Sequence, residues 1–178
     1  ERDKGILDGL DLVPAATPAA ADFILNTGVD RDEETVGDYE TILADGVRLG
    51  RPMVCANPDL EVIRGGRRVI CAGSLAARYA ALGGEVVYHG KPHGAIYRLC
   101  HALIEGVDRR RVVAVGDSLR TDIAGGQAAG FDTVLVTGGI HAEELGLAPG
   151  ARPDPTLLHE ACRRAGHIPN AALAAFVW

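Results

Sequence analysis

Short apolar runs alternate along this chain with stretches whose apolar residues recur every three or four positions, and the two periods predict strands and helices in turn. After a helix or loop over residues 1–20, rich in alanine and interrupted by Pro14 and Pro18, a strand is expected at about 22–29. Val36, Tyr39, Ile42, Leu43 and Val47 fall on one face of a helix at about 35–49, and Pro52 precedes a strand running to Asn57. Two runs at 61–64 and 68–71 flank Gly65-Gly66, which supplies the positive φ angles of a tight hairpin. Ser74 is expected to cap a helix that stops at Gly83-Gly84. The alternation continues with a strand at 85–89, a helix through Leu103, a strand at 112–115, a helix from Asp122 and a strand to Val136. Arg152-Pro153-Asp154-Pro155 breaks the chain before a helix to about Ala165, and the apolar tail from Ala171 to Trp178 is expected to dock on the core. Strands and helices in such order call for a parallel α/β sheet.

The run Val112-Val113-Ala114-Val115 ends in Gly116-Asp117-Ser118, with Asp122 opening the next helix. Two carboxylates are thereby placed at the carboxyl edge of a sheet, where α/β folds bind ligands, and a hard cation such as Mg2+ takes oxygen ligands of this kind. The plainer alternative is an ordinary strand-to-helix turn with Thr121 or Asp122 as N-cap. Gly90-Lys91-Pro92 also follows an apolar run and precedes a helix. A lysine fixed there would aim its ammonium at the oxygens of a phosphoryl group, the electrostatic work on which phosphoryl transfer depends. Taken singly, it would be a solvated surface lysine like most others.

In order, Ala56-Asn57-Pro58-Asp59, Ala72-Gly73-Ser74-Leu75, Gly90-Lys91-Pro92, Gly116-Asp117-Ser118-Leu119-Arg120-Thr121-Asp122-Ile123 and Thr137-Gly138-Gly139-Ile140 resemble the haloacid dehalogenase-like (HAD) phosphatases. The likeness is to the subfamily with a large inserted α/β cap, which includes sugar-phosphate and 4-nitrophenyl phosphatase types, and it runs from about residue 21 to 146. It implies a Rossmann-like core whose C-terminal half is a mainly parallel sheet, with a cap over residues 1–88 and that half-core over 89–178. By the same resemblance Asp117 is the Mg2+ ligand, and Asp122 supports the site from behind or through a metal-bound water. Lys91 holds the attacking carboxylate and the phosphoryl group, while Asn57 and Asp59 either face the substrate or close an Asx-Pro turn. Ser118 is a further neighbour of the metal shell by proximity alone.

The family attacks phosphate with an aspartate of an N-terminal Asp-x-Asp motif, and that motif is missing from this sequence. Its nearest imitation, the run from Phe23 to Asp32, is followed by Glu33-Glu34 where the family has a small residue and Thr, and reads as a cap strand ending in a solvated acidic turn. The chain begins Glu1-Arg2-Asp3 and is expected to be a piece cut within or just before the cap. The first core strand would then be absent beside the strand ending at Asp117, leaving an edge that invites homo-oligomers or edge-strand association.

Composition narrows the partners. A hydrophobic share of 47% over 178 residues is that of a globular chain, and a net charge of −6 argues against nucleic-acid binding, which needs a basic footprint. The four cysteines, Cys55, Cys71, Cys100 and Cys162, form no C-x-x-C pair and fit reduced thiols in the cytoplasm. No apolar run is long enough to span a bilayer. Other chemistries fail on spacing. Pro92 stands where a P-loop needs Ser or Thr, Gly73-Ser74 is no nucleophile elbow, and no Gly-x-Gly-x-x-Gly follows a strand. Gly90 and Pro92 keep His89 and His93 off a shared helical face for zinc, and His141 is expected in a surface loop. The expected function is Mg2+-dependent hydrolysis of a small phosphorylated metabolite through an aspartyl-phosphate formed upstream. The alternative is a non-catalytic module that binds a phosphorylated ligand or protein partner.

Overall fold

The computed structural model describes residues 5–177, so that the opening Glu1-Arg2-Asp3 and Trp178 lie outside the described residues. The chain divides into two compact units, one comprising residues up to Val62 with Arg68–His89, the other Ile63–Arg67 with residues from Gly90 onward. The mixed α/β class with parallel sheets expected from the sequence is the one found.

In the first unit, β1 (Ile24–Asn26), β2 (Met53–Cys55) and β5 (Val86–Tyr88) form a parallel sheet in the order β1-β2-β5, with Ile24 opposite Met53 and Met53 opposite Val86. Helices α1 (Glu40–Arg48) and α2 (Ala72–Ala81) pack on it, and Leu43, Met53, Cys55, Ala72, Ala76 and Tyr79 make the core. Removing such aliphatic and aromatic surface from water is the main drive holding strands this short together. Strands β3 (Glu61–Arg64) and β4 (Arg67–Ile70) form the expected hairpin.

The differences from the sequence expectation have local causes. The helix placed at 35–49 starts as a 3-10 turn over Val36–Tyr39, closed by a Thr35–Asp38 capping box, and becomes α-helical only from Glu40; Ile42 faces solvent. Ser74 is not the cap of α2: Cys71 occupies that position, and Ser74 Oγ donates to Leu60 O at 2.7 Å. The acidic turn after β1 is not simply solvated, because Glu34 Oε2 accepts from Tyr39 Oη at 2.6 Å and from the Asp30 and Arg31 amides.

In the second unit, β6 (Val113–Gly116), β7 (Asp132–Val136) and β8 (Ala171–Leu173) are all parallel in the order β6-β7-β8. The tail thus does more than dock, since its residues add a strand, with Ala171 opposite Val134. Helices α3 (Gly94–Ala102), α4 (Ala124–Ala128) and α5 (Pro155–Ala165) complete the unit. The last begins as its sequence dictates: the Asp154 carboxylate accepts from the Thr156 and Leu157 amides and Pro155 fills the first turn. Leu119, Ile123, Leu135, Leu145, Ala161 and Cys162 form its core. Among the described residues no helix is long and apolar enough to cross a membrane.

Candidate functional site

Parallel pairing of β6 and β7 puts the carboxyl ends of two strands side by side, Gly116 opposite Leu135. Loops leaving neighbouring strand ends share one edge of the sheet, and they carry Asp117 on one side and Gly138-Gly139-Ile140-His141 on the other.

The segment after Asp117 is not the helix start expected at Asp122. A π-helical turn, Leu119–Ile123, comes first, with the Asp122 and Ile123 amides both donating to Ser118 O, at 3.0 and 3.1 Å. Its cap is neither Thr121 nor Asp122 but buried Ser118, whose Oγ accepts from the Thr121 amide at 3.2 Å. Ser118 therefore serves the turn. Tyr97, on α3, braces the same turn with its hydroxyl 3.2 Å from Thr121 O. Thr121 Oγ1 is buried here without a hydrogen-bond partner among the described residues.

The wider turn swings Asp122 back toward the strand end. Its Oδ2 accepts from the Ser118 amide at 3.0 Å and its Oδ1 from Lys91 Nζ at 2.7 Å. A Cβ on Gly116 would stand 2.2 Å from Asp122 Cγ, so glycine is required for this approach. The Asp122 carboxylate consequently touches the residues on both sides of Asp117. Its side chain is 10% exposed and that of Lys91 43%, a buried anion tying down a cation that still meets solvent.

Asp117 is held from the other loop. Its Oδ2 accepts from the Ile140 amide at 3.1 Å, and a Cβ on Gly139 would lie 2.1 Å from that oxygen. Next to it, the Leu119 amide donates to His141 Nε2 at 3.3 Å. With Nε2 accepting, the imidazole proton sits on Nδ1 and is donated to Glu144 Oε2 at 2.9 Å. Hydrogen bonds from His141 and then Arg164 hold the Glu144 carboxyl below its ordinary value. His141 lies in a loop, as expected, and its imidazole joins that loop to the one carrying Asp117.

Three of the residues singled out in the sequence, Lys91, Asp117 and Asp122, thus lie in the second unit, and Lys91 and Asp122 are in direct contact. Asn57 and Asp59 lie in the first unit, where Asn57 Oδ1 accepts from the Asp59 amide at 3.1 Å in an Asx turn. Gly139 and Ile140 entered the sequence reading only within a motif, His141 only as a loop residue and Tyr97 not at all, and none was given a role in the site. Only the Thr-Gly-Gly string hinted at them, through the small residue that a close approach demands.

These donors suit Mg2+ in one specific way. Magnesium keeps several waters and is bound through one or two carboxylates together with phosphate oxygens. Asp117 offers a hard oxygen ligand, and Asp122 touches the residues on either side of it. No group of three His, Cys, Asp or Glu side chains able to enclose an ion occurs among the described residues.

Residues 88–167 match the HAD-hydrolase-like family model. A dihydroxyacetone phosphatase of Corynebacterium glutamicum (strain R) is 37% identical over 51% of this chain and 33% of its own length. An acid sugar phosphatase of Staphylococcus aureus is 30% identical over 64% of this chain and 44% of its own. The solved structure of a haloacid dehalogenase-like hydrolase from Brucella suis 1330 aligns with a TM-score of 0.80 at 36% identity, over 99% of this chain and 63% of that one. The chain spans less than half the length of these two curated relatives.

Proposed function

We propose that this chain, whose residues 88–167 match the HAD-hydrolase-like family model, carries the phosphate-handling half of an Mg2+-dependent phosphohydrolase acting on small phosphomonoesters. The observation that carries the reading is the 2.7 Å contact of Lys91 with Asp122, beside the strand end that presents Asp117. A cation tied to a nearly buried carboxylate has little use as a solubilising charge. Aimed at a phosphoryl group, it has one.

In this proposal Lys91 neutralises the phosphoryl oxygens and the attacking carboxylate, and Asp122, with one oxygen on Lys91 and the other on the Ser118 amide, holds that ammonium in place. Asp117 would hold Mg2+, whose charge draws electrons from the phosphoryl oxygens and favours attack at phosphorus. The covalent step is attack of an aspartate on phosphorus with cleavage of the ester P–O bond and release of the alcohol. Water then splits the aspartyl-phosphate to inorganic phosphate. We assign the attacking aspartate to sequence outside these 178 residues. Residues 1–88 would act as the cap, with Asn57 and Asp59 of its Asx turn as the candidate substrate-binding residues, and 89–178 as half of the core. The names of the two curated relatives direct attention to dihydroxyacetone phosphate and sugar phosphates as substrates. The buried free thiols of Cys55, Cys71 and Cys162 fit a reducing compartment, and we place the reaction in the cytoplasm.

The test is Mg2+-dependent phosphate release from a panel of such esters, run on the full-length gene product and on the 178-residue chain in parallel. Activity in the longer protein, lost in K91A and D117A, is expected. Activity in neither, with folded protein, would overturn the reading in favour of a non-catalytic module that binds a phosphorylated ligand or protein partner.

A further inference from the structure

Two hydrogen bonds run in opposite directions between the loop after β6 and the loop after β7. The side chain of Asp117 takes the Ile140 amide at 3.1 Å, and the side chain of His141 takes the Leu119 amide at 3.3 Å. Each loop thus lends one side chain and one amide, and the residues concerned are neighbours: 117 and 119 on one side, 140 and 141 on the other. The Leu119 amide is one of the orphan donors at the start of the π-helical turn, and the residue is 2% exposed, so that water is a poor substitute for the imidazole.

His141 is itself anchored from behind. Its Nδ1–H donates to Glu144, whose other oxygen accepts from Arg164 Nη2 at 2.5 Å, in the last turn of α5. Leu145, the next residue, is buried in the same core as Leu119, Ala161 and Cys162. The imidazole is therefore not a loose loop side chain. It is the end of an Arg164–Glu144–His141 series whose far end is fixed to a helix.

We infer that His141 is a positioning residue for Asp117: by holding the Leu119 amide it keeps the Ile140 amide against the Asp117 carboxylate and so fixes the orientation of that carboxylate. The inference rests on the proposal that Asp117 holds Mg2+, since only then does the orientation matter to function. Partners that orient a ligand typically change metal affinity about 10- to 100-fold when removed. The substitution series follows from the reach of each side chain. Asn at 141 can still meet Glu144 but falls short of the Leu119 amide, whereas Gln places an acceptor near where Nε2 stands.

Mg2+ binding to the full-length gene product, measured by titration calorimetry with circular dichroism as the check on folding, decides the matter. D117A should abolish binding, H141A and H141N should weaken it by about 10- to 100-fold, and H141Q should recover most of the loss. Should H141A fail to fold, the comparison of H141N with H141Q still stands. Equal affinity in H141N, H141Q and the parent, with D117A inactive in binding, would overturn the role of His141 and leave the phosphatase proposal intact. A parent protein that does not bind Mg2+, or a D117A variant that binds it unchanged, would remove the metal role of Asp117 and this inference with it.

Discussion

Lys91 and Asp122 meet at 2.7 Å across 31 residues of chain, and the two members of the pair are unequally dependent on it. Lys91 is 43% exposed and can be hydrated when its partner goes, whereas Asp122 is 10% exposed and also satisfies the buried Ser118 amide. Removing Lys91 leaves a nearly buried carboxylate without its cation, and removing Asp122 leaves a buried amide unpaired at a cost of about 1–3 kcal/mol. Both D122A and K91A are therefore expected to lower the urea-unfolding free energy. In phosphate release both should be severely impaired. A K91A variant as stable as the parent would mean that solvent already compensates the Asp122 carboxylate.

Gly139 makes a sharper demand on the same site. Its missing side chain is filled by the Asp117 carboxylate, 2.1 Å from where a Cβ would sit. In G139A the carboxylate or the loop must shift, and overpacking of this kind costs about 1–3 kcal/mol. The expected signature is loss of Mg2+ binding out of proportion to the loss of stability, with the Ile140 amide resonance moved in the NMR spectrum because its acceptor has left. An unchanged resonance would place the strain elsewhere.

Such close approaches explain what the sequence disclosed and what it did not. Gly-Asp after an apolar run, a second Asp five residues on and a Gly-Lys-Pro after another run all express local backbone geometry, and their neighbours in the chain suffice to reveal them. The parallel sheet was legible for the same reason, from its period. The Ile140 amide on Asp117 and the Leu119 amide on His141 depend instead on the register that puts Gly116 opposite Leu135, and no local pattern states a register between parallel strands. The cap of the turn at 119–123 was not legible because Ser118, Thr121 and Asp122 are all good caps; tertiary contacts of Asp122 with Lys91 decide among them. The tail passed for a docking segment because its strand is three residues long, below what alternation can reveal.

Glu34 provides a prediction in pH. The Tyr39 hydroxyl first, then the Arg31 amide, stabilise its ionised form and bring its carboxyl from 4.5 down to about 2. A carboxyl lowered on folding stabilises the native state fully above its ordinary value, and that contribution is lost as pH falls from about 4.5 toward about 2. Glu34 should therefore add no pH dependence near neutrality and should weaken the turn after β1 only in acid. A carbon-detected NMR titration of its carboxyl is expected to show it still ionised at about pH 3, where a free glutamate is mostly protonated. In Y39F the midpoint should move upward. A midpoint near 4.5 in the parent would show that the tyrosine bond does not persist in solution.

The outer strand β6 carries the last expectation. Among the described residues it pairs only with β7, and Val113 and Val115, on one face of it, are 50% and 39% exposed. An unpaired strand edge offers a row of backbone donors and acceptors to any similar edge, and exposed valines beside it add apolar area to gain from contact. The 178-residue chain is thus expected to associate in sedimentation velocity, with the associated fraction rising with concentration. Proteins blunt such edges with lysine. V113K, at a site already half in water, should cost within about 0.5 kcal/mol and return the chain toward the monomer, because each new strand pairing would bring two ammonium groups together. Association that persists unchanged in V113K would move the contact away from β6, and a parent chain that stays monomeric would show that the edge is covered in solution.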